Sequence, residues 1–429
     1  MKYHIITYGC QMNESDSERI AHMLKSANYK SAPNIDGADL IVVNMCSVRQ
    51  SAVNRVYGLN KKLVNLKKNN PKLKTILTGC VLNSDKQKMK KIFDQIVNIQ
   101  NIDKLINAHQ VNKSYLSCPA LFSSSFSAYV PIMTGCNNFC SYCVVPYTRG
   151  REYSRPISEI ISEIQGIIKK GYLEIILLGQ NVNSYKNKNG QHFPELLKTI
   201  HNIPGNFWLS FLTSHPKDFS DELIEIMANS PKICPYLHLA VQSGDNQILK
   251  KMNRNYTAKQ YEKIISKVRK KIPQINISTD IIVGFPGETK KQFANTKKLM
   301  KNIKFDMAYI AQYSPRPNTD AAKLKNNVSL KEKKERALIL NQILKKTALR
   351  NNQKYIGRKV EALVISPNQA KTKSFKKIRL NKPAIPGTFI SCLISDAQAW
   401  RLIGHPLDAT QNDNINSDQQ NAKRDNIPV

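Results

Sequence analysis

The segment Gly135-Cys136-Asn137-Asn138-Phe139-Cys140-Ser141-Tyr142-Cys143 places three cysteines in a CxxxCxxC spacing, directly after an apolar, strand-like run at 129–134. Cysteine thiolates at such short spacings are typical ligands of a four-iron cluster. Three cysteines ligate three corners of that cube, so one iron keeps an open position for another molecule. S-adenosylmethionine (SAM) fits the open position, because its amino and carboxylate groups can chelate an iron. The segment, here called the loop triplet, therefore predicts radical chemistry.

A zinc site is the alternative for the same three cysteines. Structural zinc normally takes four Cys or His ligands, and no histidine lies between Phe126 and Gly150. The spacing therefore favours the iron–sulfur cluster.

The net charge of the chain is strongly positive. Its 429 residues include 65 Lys and Arg against 31 Asp and Glu, a formal net charge of +34. This excess indicates a polyanionic partner, whose phosphates release counterions when they are neutralised. A Lys- and Asn-rich composition with a solvated surface is the alternative.

Other features of the composition bear on the compartment. No apolar stretch reaches the roughly 18 residues that a membrane span requires, and the N-terminus runs into a strand without a signal-peptide pattern. Nine cysteines, an odd number, fit reduced thiols and metal ligation better than a disulfide framework. We expect a cytoplasmic protein without a membrane partner.

Three short apolar runs near the N-terminus, at 3–10, 40–46 and 73–80, each end in a cysteine: Cys10, Cys46 and Cys80. Helix-like stretches follow at 15–26, 51–68 and 86–93. The pattern predicts an N-terminal parallel-sheet α/β domain. The cysteines are 36 and 34 residues apart, which suits a strand, a crossover helix and a return strand. All three should therefore leave the sheet at the same carboxyl edge.

These three cysteines, here called the N-terminal triplet, predict a second three-thiolate iron–sulfur site. One cysteine at a strand end is most often a buried small hydrophobe, which is the alternative for each member. Three in equivalent positions, at the edge where open α/β sheets bind ligands, favour a cluster. The remaining thiols match no ligand position and are interpreted as structural: Cys118, Cys234 and Cys392.

From residue 129 onward six strand-like runs alternate with helical stretches, which predicts a central (βα)6 partial TIM barrel that is open on one side. The runs lie at 129–134, 173–178, 208–213, 236–241, 275–283 and 306–312. Polar residues follow most strands, at the barrel end that carries the chemistry. We expect SAM-contacting side chains there: Tyr142, Gln180, Asn181, Ser214, Gln242 and Tyr313. For Tyr142, which could pack on the SAM adenine, plain core packing is the alternative.

The C-terminal part predicts a helix and a small β-barrel. Ser329 and Glu332 have the spacing of a capping box, opening a Lys-rich helix that runs towards Asn352. After Gly357, short alternating segments at 359–365, 375–380, 387–394 and 399–403 indicate the barrel. Six cations make it basic, as a nucleic-acid platform would be: Lys371, Lys373, Lys376, Lys377, Arg379 and Lys382.

These patterns divide the chain into an α/β domain, a partial barrel and a β-barrel. The expected bounds are 1–113 for the first domain, 114–128 for a Ser-rich linker, 129–345 for the partial barrel, 346–407 for the β-barrel and 408–429 for a polar, disordered tail.

The chain resembles the radical SAM methylthiotransferases, and within them the tRNA-2-methylthio-N6-dimethylallyladenosine synthases, from Met1 to about Pro406. The motifs that carry the resemblance are Thr7-Tyr-Gly-Cys-Gln-Met-Asn-Glu-Ser-Asp-Ser-Glu18, Cys46-Ser-Val-Arg49, Gly135-Cys-Asn-Asn-Phe-Cys140, Val145-Pro-Tyr-Thr-Arg-Gly-Arg151, Leu178-Gly-Gln-Asn-Val-Asn-Ser184, Gln242-Ser-Gly244, Met252-Asn-Arg254, Thr279-Asp-Ile-Ile-Val-Gly-Phe-Pro-Gly-Glu-Thr289 and Tyr313-Ser-Pro-Arg-Pro317. Gln11-Met12-Asn13 is the subfamily marker.

The resemblance implies two [4Fe–4S] clusters, with the loop triplet holding the SAM-binding cluster and the N-terminal triplet an auxiliary one. It also implies the reaction: one SAM methylates a sulfur carried on the auxiliary cluster, and a second is cleaved to a 5′-deoxyadenosyl radical. The radical removes hydrogen from C2 of the isopentenylated adenine at tRNA position 37, where the methylthio group is installed. No side chain is assigned a catalytic role beyond cofactor binding.

The resemblance further implies partners and leaves two alternatives. The C-terminal barrel is similar to the RNA-binding TRAM domain, so the anticodon stem-loop of tRNA is the expected partner, with flavodoxin or ferredoxin as electron donor. One alternative is methylthiolation of N6-threonylcarbamoyladenosine in tRNA. The other is a non-catalytic RNA-binding protein whose clusters are structural or redox-sensing.

Overall fold

The computed structural model describes residues 1–105 and 115–407. The expected boundary at residues 113 and 114 and the expected tail at 408–429 lie outside the described residues. Within them no helix is long and apolar enough to cross a bilayer.

The N-terminal domain is a parallel sheet with helices on its faces. Its elements are β1 (Lys2–Tyr8), α1 (Gln11–Ser26), β2 (Lys30–Ser31), β3 (Leu40–Cys46), α2 (Gln50–Gly58), α3 (Asn60–Asn69), β4 (Lys74–Cys80), α4 (Asn83–Met89), β5 (Gln95–Ile96) and α5 (Ile102–Leu105). The strands pair in parallel in the order β2-β1-β3-β4-β5. This is the doubly wound order in which ligands bind beyond β1 and β3, where the strand order reverses.

Strand β3 shows why this sheet forms. All seven of its residues are buried, and the run is rich in β-branched side chains, as expected for a strand covered on both faces. Ile41 and Val43 pack towards α2, and Leu40 and Val42 pack towards α1 and the central domain. The predicted α/β domain is confirmed.

The central domain continues the βα pattern. Its elements are β6 (Ser127–Pro131), β7 (Met133–Thr134), α6 (Val145–Thr148), β8 (Tyr153–Ser154), α7 (Ile157–Lys169), β9 (Glu174–Leu178), α8 (Phe193–His201), β10 (Trp208–Phe211), α9 (Asp221–Asn229), β11 (Tyr236–His238), α10 (Asn246–Lys251), α11 (Ala258–Lys271), β12 (Asn276–Val283), α12 (Lys290–Ile303), β13 (Met307–Gln312) and α13 (Leu330–Gln353). Short 3-10 helices add single turns between several of them.

Six parallel strands form an open arc. Two three-stranded sheets, β6-β9-β10 and β11-β12-β13, are joined by parallel bridges from Leu209 to Ile233 and from Ser214 to Leu239. Alternate residues of β9 point to opposite faces: Ile175 and Leu177 enter the core shared with the outer helices. Ile176 and Leu178 face inward and pack on the N-terminal domain. The partial barrel is confirmed, and the N-terminal domain covers part of its inner face.

The C-terminal domain is a closed barrel of five strands in the order β14-β15-β16-β18-β17. The strands are β14 (Lys359–Ser366), β15 (Gln369–Thr372), β16 (Lys377–Leu380), β17 (Phe389–Gln398) and β18 (Arg401–Pro406). The sequence predicts four of them. It misses β15, whose residues Gln-Ala-Lys-Thr carry little hydrophobic alternation and whose pairing comes from β14 and β16.

The C-terminal barrel docks on the amino-terminal ends of the central strands. Lys371 bonds the fully buried carboxylate of Glu174 at 2.6 and 2.7 Å, and Lys376 bonds Asp306 at 2.7 Å. Tyr236 stacks on Phe375 with ring centroids 4.5 Å apart. Lys373 bonds the Pro231 carbonyl. Three of the six cations expected to form a nucleic-acid platform therefore hold two domains together.

Three further elements differ from expectation. The helix expected over 51–68 is two helices, because the chain turns at Leu59, which ends α2 and starts α3. The helix expected over 86–93 begins at Asn83 and ends at Met89. The segment expected as a linker is packed: Tyr115 and Cys118 are buried, and the backbone NH and hydroxyl of Ser123 both donate to Glu18.

Candidate active site

The N-terminal triplet lies at the carboxyl edge of the first sheet. Cys46 and Cys80 are direct register partners at the ends of β3 and β4. Cys10 follows β1 and caps α1. The βα pattern thus brings the three thiols together at the edge where the strand order reverses.

Cys10 is held in place by Asn13. The Asn13 amide oxygen accepts from the Cys10 backbone NH at 3.3 Å and from its thiol at 3.4 Å. The amide nitrogen of Asn13 donates to Asn44 at 2.8 Å, and Asn44 donates back to the Asn13 carbonyl at 2.8 Å. Both asparagines are fully buried. These hydrogen bonds connect the start of α1 to β3. They therefore fix the position of Cys10 relative to Cys46.

A glycine makes room for this pair. Gly79, immediately before Cys80, has φ +97°, a conformation that side chains rarely adopt. A Cβ at this position would lie 2.3 Å from the Asn44 amide oxygen and 2.4 Å from the Met45 carbonyl oxygen. Glycine is therefore required both by the backbone conformation and by the close approach of β3.

Arg149 reaches from the central domain into the N-terminal triplet. Its Nε donates to the Cys80 sulfur at 3.0 Å, and its Nη2 pairs with the Asp16 carboxylate at 2.6 Å. Its Nη1 lies 3.4 Å from the Tyr115 hydroxyl, which itself donates to Asp16 at 3.3 Å. The guanidinium is 2% exposed and the Asp16 side chain 0%. A buried cation of this kind needs such partners, and here one of them is a cysteine sulfur.

The thiols of the N-terminal triplet influence one another. The pKa of Cys80 is lowered because Cys46 donates a hydrogen bond to its sulfur, and Arg149 also favours the thiolate. The same hydrogen bond raises the pKa of Cys46. Burial raises the pKa of Cys10, with the nearby Cys80 adding to the rise. Metal ligation would remove the remaining protons, since the thiolate is the ligand.

The loop triplet follows β6 and β7 of the central domain and is fixed by contacts on several sides. Cys136 donates from its backbone to Gly150, and Cys143 donates to the Cys140 carbonyl. The Ser141 hydroxyl donates to the Lys251 carbonyl at 2.8 Å. A Cβ at Gly135, where φ is +81°, would lie 2.0 Å from the Arg151 carbonyl oxygen. The loop therefore follows a tightly packed path, which requires glycine at position 135.

A buried arginine also lies beside the loop triplet. Arg254 Nη1 is 3.7 Å from the Cys140 sulfur and 3.4 Å from the Tyr142 hydroxyl, and its Nε donates to Tyr256 at 2.8 Å. Burial raises the pKa of Cys136 to about 11 and that of Cys143 to about 12. Each triplet therefore has one buried guanidinium within reach of one of its sulfurs.

Several of the buried polar atoms without a partner lie at the carboxyl ends of the central strands, while others, such as Ser15 Oγ and Arg155 Nε, lie elsewhere. Among the residues that the structure describes, those at the strand ends include Gln180 Oε1, both side-chain amide atoms of Asn183, Ser214 Oγ, His215 Nε2, Gln242 Oε1 and Tyr313 OH. Buried polar groups normally have hydrogen-bond partners, so a set of unpartnered ones at one edge indicates a ligand. A polar molecule such as SAM fits this donor and acceptor set.

Five of the six predicted SAM-contacting residues divide into two groups. Gln180, Ser214, Gln242 and Tyr313 each carry one of these unpartnered atoms. Asn181 carries none. Its amide nitrogen donates to Asp218 at 2.7 Å and its amide oxygen accepts from the His215 backbone NH at 3.1 Å. Asn181 therefore stabilises the rim of the barrel.

Tyr142 is half-buried, and its contacts are those of the core-packing alternative. Its ring packs against the cluster that contains Met252, Phe285 and Tyr313. Its hydroxyl lies within reach of Arg254, the arginine beside Cys140. The ring is therefore part of a small core at the edge of the loop triplet.

His215 contributes a donor to the same rim. Its Nδ1 accepts from the Lys217 backbone NH at 3.2 Å, so the neutral ring carries its proton on Nε2. Burial lowers the pKa of His215 to about 2, and the positive charges of Arg254 and Lys217 add to this shift. The ring is thus a neutral, buried donor near the loop triplet.

Within residues 1–105 and 115–407, no three His, Cys, Asp or Glu side chains converge closely enough to hold one metal ion.

The sequence alone assigns no role to several residues inside the motifs that contact a cysteine, or a partner of one, in the folded protein: Asn13, Asp16, Arg149 and Arg254. Their signal in the sequence is a polar or charged residue inside a motif, a few positions from a cysteine. Their partners lie far away in the chain, so only the fold shows what they contact.

Comparisons with known proteins agree with this architecture. The sequence model of the radical SAM superfamily matches residues 130–300, and that of the uncharacterized protein family UPF0004 matches residues 2–100. The radical SAM methyltransferase TsrM from Kitasatospora setae superposes with a TM-score of 0.56 at 12% identity, covering 75% of both chains. The cobalamin-dependent SAM radical enzyme OxsB gives 0.53 at 11% identity, over 81% of this chain and 56% of its own. These structures show the fold alone, and the class is that of radical SAM proteins.

Curated relatives narrow the class to a family. The tRNA-2-methylthio-N(6)-dimethylallyladenosine synthase of Syntrophomonas wolfei is 39% identical over 94% of this chain and 97% of its own. Those of Thermoanaerobacter sp. strain X514 and Caldicellulosiruptor saccharolyticus are 41% and 43% identical, over 94% and 84% of this chain and 92% and 82% of their own. The chain belongs to the tRNA-2-methylthio-N(6)-dimethylallyladenosine synthase family.

Proposed function

We propose that this chain is a tRNA-modifying radical SAM methylthiotransferase, which replaces the hydrogen on C2 of N6-isopentenyladenosine at tRNA position 37 by a methylthio group. The names of relatives that match over nearly the whole chain support this activity. The observation that carries it is the pair of cysteine triplets, one on each domain, with the buried Arg149 of the central domain bonded to Cys80 of the N-terminal triplet. We further propose that the loop triplet holds the SAM-binding [4Fe–4S] cluster and the N-terminal triplet an auxiliary one.

The target carbon explains why a radical is needed. C2 of adenine has no acidic proton and no leaving group, so acid–base catalysis alone would not functionalise it. When bound, a [4Fe–4S] cluster with an open iron supplies the electron that cleaves SAM to a 5′-deoxyadenosyl radical.

The side chains of this protein bind and orient the reactants. We assign Gln180, Ser214, Gln242 and Tyr313 to polar contacts with SAM, because each offers an unpartnered buried atom at the barrel rim. Tyr142 would pack beside the same molecule. Asn181 orients the rim by holding Asp218 and the His215 backbone.

We also propose the division of the chain and its partners. The domains are 1–113, 129–345 and 346–407, with 114–128 between the first two and the tail at 408–429; helix α13 continues past the boundary at 345, and β6 begins two residues before 129. The anticodon stem-loop would contact the exposed cations of the C-terminal barrel. The electron would come from a small carrier such as flavodoxin or ferredoxin, and the compartment is the cytoplasm.

Two measurements test the proposed function. Reduced, reconstituted protein should produce 5′-deoxyadenosine from SAM, and Cys140→Ala should abolish it. Cys46→Ala should keep SAM cleavage and lose sulfur insertion, because it leaves the loop triplet intact. If wild type and Cys140→Ala were equally inactive in SAM cleavage, the result would contradict the enzyme and favour the alternative of a non-catalytic iron–sulfur RNA-binding protein.

Nucleoside analysis identifies the substrate. The tRNA of a deletion strain should lack 2-methylthio-N6-isopentenyladenosine and regain it on complementation. Loss of the methylthiolated threonylcarbamoyladenosine instead would assign the chain to the alternative reaction.

A further inference from the structure

Resting on the proposed function, we propose that Arg149 is a positioning residue for the auxiliary cluster: its hydrogen bond to the Cys80 sulfur orients that ligand and raises the reduction potential of the cluster. Only the presence of a cluster on the N-terminal triplet depends on the proposed function. The contacts of Arg149 do not depend on it.

Arg149 is fixed at both its backbone and its side chain. Its carbonyl accepts from the Gln100 side chain at 2.9 Å, and its backbone NH donates to Val145 at 2.8 Å. Asp16 and Tyr115 hold the guanidinium from the other side. Gln100 and Val145 thus fix the backbone of Arg149, Asp16 and Tyr115 fix its guanidinium, and Nε donates to Cys80.

The electrostatic effect of this geometry has a definite sign. Reduction adds a negative charge to a cluster, and a cation that donates a hydrogen bond to a ligand sulfur stabilises that added charge. The site is buried, so water screens the interaction little. The bond between Arg149 and Cys80 therefore raises the potential of the auxiliary cluster.

The same residue connects the two proposed cluster sites. Arg149 lies six positions after Cys143, in the segment that continues from the loop triplet. A displacement of that segment would change the distance from the guanidinium to Cys80. Arg149 therefore links the segment that follows the loop triplet to Cys80 of the N-terminal triplet.

The chain offers a matched control. Arg155 is equally buried, and it pairs with Glu163 at 2.7 Å and donates to the Pro131 carbonyl at 2.9 Å. Replacing it also removes a buried guanidinium from the domain boundary. Within the part of the chain that the structure describes, its hydrogen-bond and ion-pair partners include no cysteine.

The test is a redox titration followed by electron paramagnetic resonance. The full-length parent carries Cys136→Ala, Cys140→Ala and Cys143→Ala, so that only the N-terminal triplet can bind a cluster after anaerobic reconstitution with iron and sulfide. Arg149→Gln in this parent should shift the midpoint potential to more negative values. Arg155→Gln should have the same midpoint potential as the parent.

A second variant covers the case in which Arg149→Gln does not fold because Asp16 is left unpaired. The pair Asp16→Asn with Arg149→Gln removes that buried charge and should show the same negative shift. An unchanged midpoint in a folded Arg149 variant would overturn the inference while leaving the proposed function intact. If the parent bound no cluster at all, the proposed auxiliary site itself would be wrong, and this inference with it.

Discussion

At the scale of single residues, the protein places polar side chains where a cysteine must be oriented or a ligand bound. Asn13 orients Cys10 through its own amide, and Arg149 and Arg254 each bring a buried charge to one sulfur. The sequence predicts the cysteines because their spacing repeats. It does not predict their supporting residues, because Asn13 meets Asn44 and Arg149 meets Asp16 only after the sheet and the barrel have formed.

His215 gives a pH-dependent prediction at this scale. The folded protein keeps the ring neutral, whereas in the unfolded chain its pKa is near the ordinary value of about 6.5. Below that pH the unfolded state binds a proton that the folded state does not, so stability is complete above about pH 7 and falls as the pH is lowered towards 2. The loss is about 1.4 kcal/mol per pH unit once the pH is well below 6.5.

The measurement compares urea midpoints at pH 7.5 and pH 5.5. The decrease in stability on acidification should be smaller in His215→Gln than in wild type. His405→Gln, at an exposed position, is the control and should behave as wild type. Identical pH dependence in His215→Gln and wild type would show that the ring is not held neutral.

At the scale of elements, the strands place the chemistry. Hydrophobic periodicity predicts the longer strands of both α/β domains, since buried parallel strands are nearly continuous apolar runs, but it misses the two-residue strands β2, β5 and β8. Hydrophobic periodicity predicts an element less well where its contacts with neighbouring elements determine its structure. Strand β15 is polar and forms because β14 and β16 flank it, and the break at Leu59 has no Pro to mark it.

The turn before Cys80 gives a prediction for one element. Gly79→Ala should cost about 1–3 kcal/mol in strain, and the added methyl should push Asn44 away from Asn13. We expect a lower unfolding midpoint and loss of the iron bound by the N-terminal triplet.

The variant Gly171→Ala separates the effect of backbone strain from the effect of a steric clash of the added methyl group. Gly171 has φ +84° but no heavy atom within 4 Å of an added Cβ. It should lose stability only through its backbone conformation and should keep its iron. Equal iron content in both variants would mean that the approach of β3 to Gly79 does not matter for the cluster site.

At the scale of the whole molecule, the C-terminal barrel has two surfaces with different roles. Lys371, Lys373 and Lys376 face the central domain. The exposed cations Lys377, Arg379, Lys382 and Arg401 remain on the outside, with the exposed Trp400 beside them. Composition predicts a basic barrel, but only the assembled domains show which cations are free for RNA.

These two surfaces give separable predictions. Changing Lys377, Arg379 and Arg401 to Gln should weaken tRNA binding and reduce the slope of log affinity against log salt by about 0.7–0.9 for each phosphate that is no longer neutralised. Filter binding across a salt series measures both. An unchanged slope would place the RNA-binding surface elsewhere.

Lys371→Gln is the matched control for that series. It should leave the salt slope unchanged but destabilise the protein by about 3–5 kcal/mol, because Glu174 stays buried without its cation. A reduced slope without destabilisation would mean that Lys371 binds RNA after all.

The most direct test counts the clusters. Iron and sulfide quantification with Mössbauer spectroscopy on anaerobically purified protein should give two [4Fe–4S] clusters per chain. One cluster should remain when either the loop triplet or the N-terminal triplet is changed to alanine. Zinc in place of iron, or a single cluster in the wild-type chain, would contradict the proposal of two three-cysteine cluster sites.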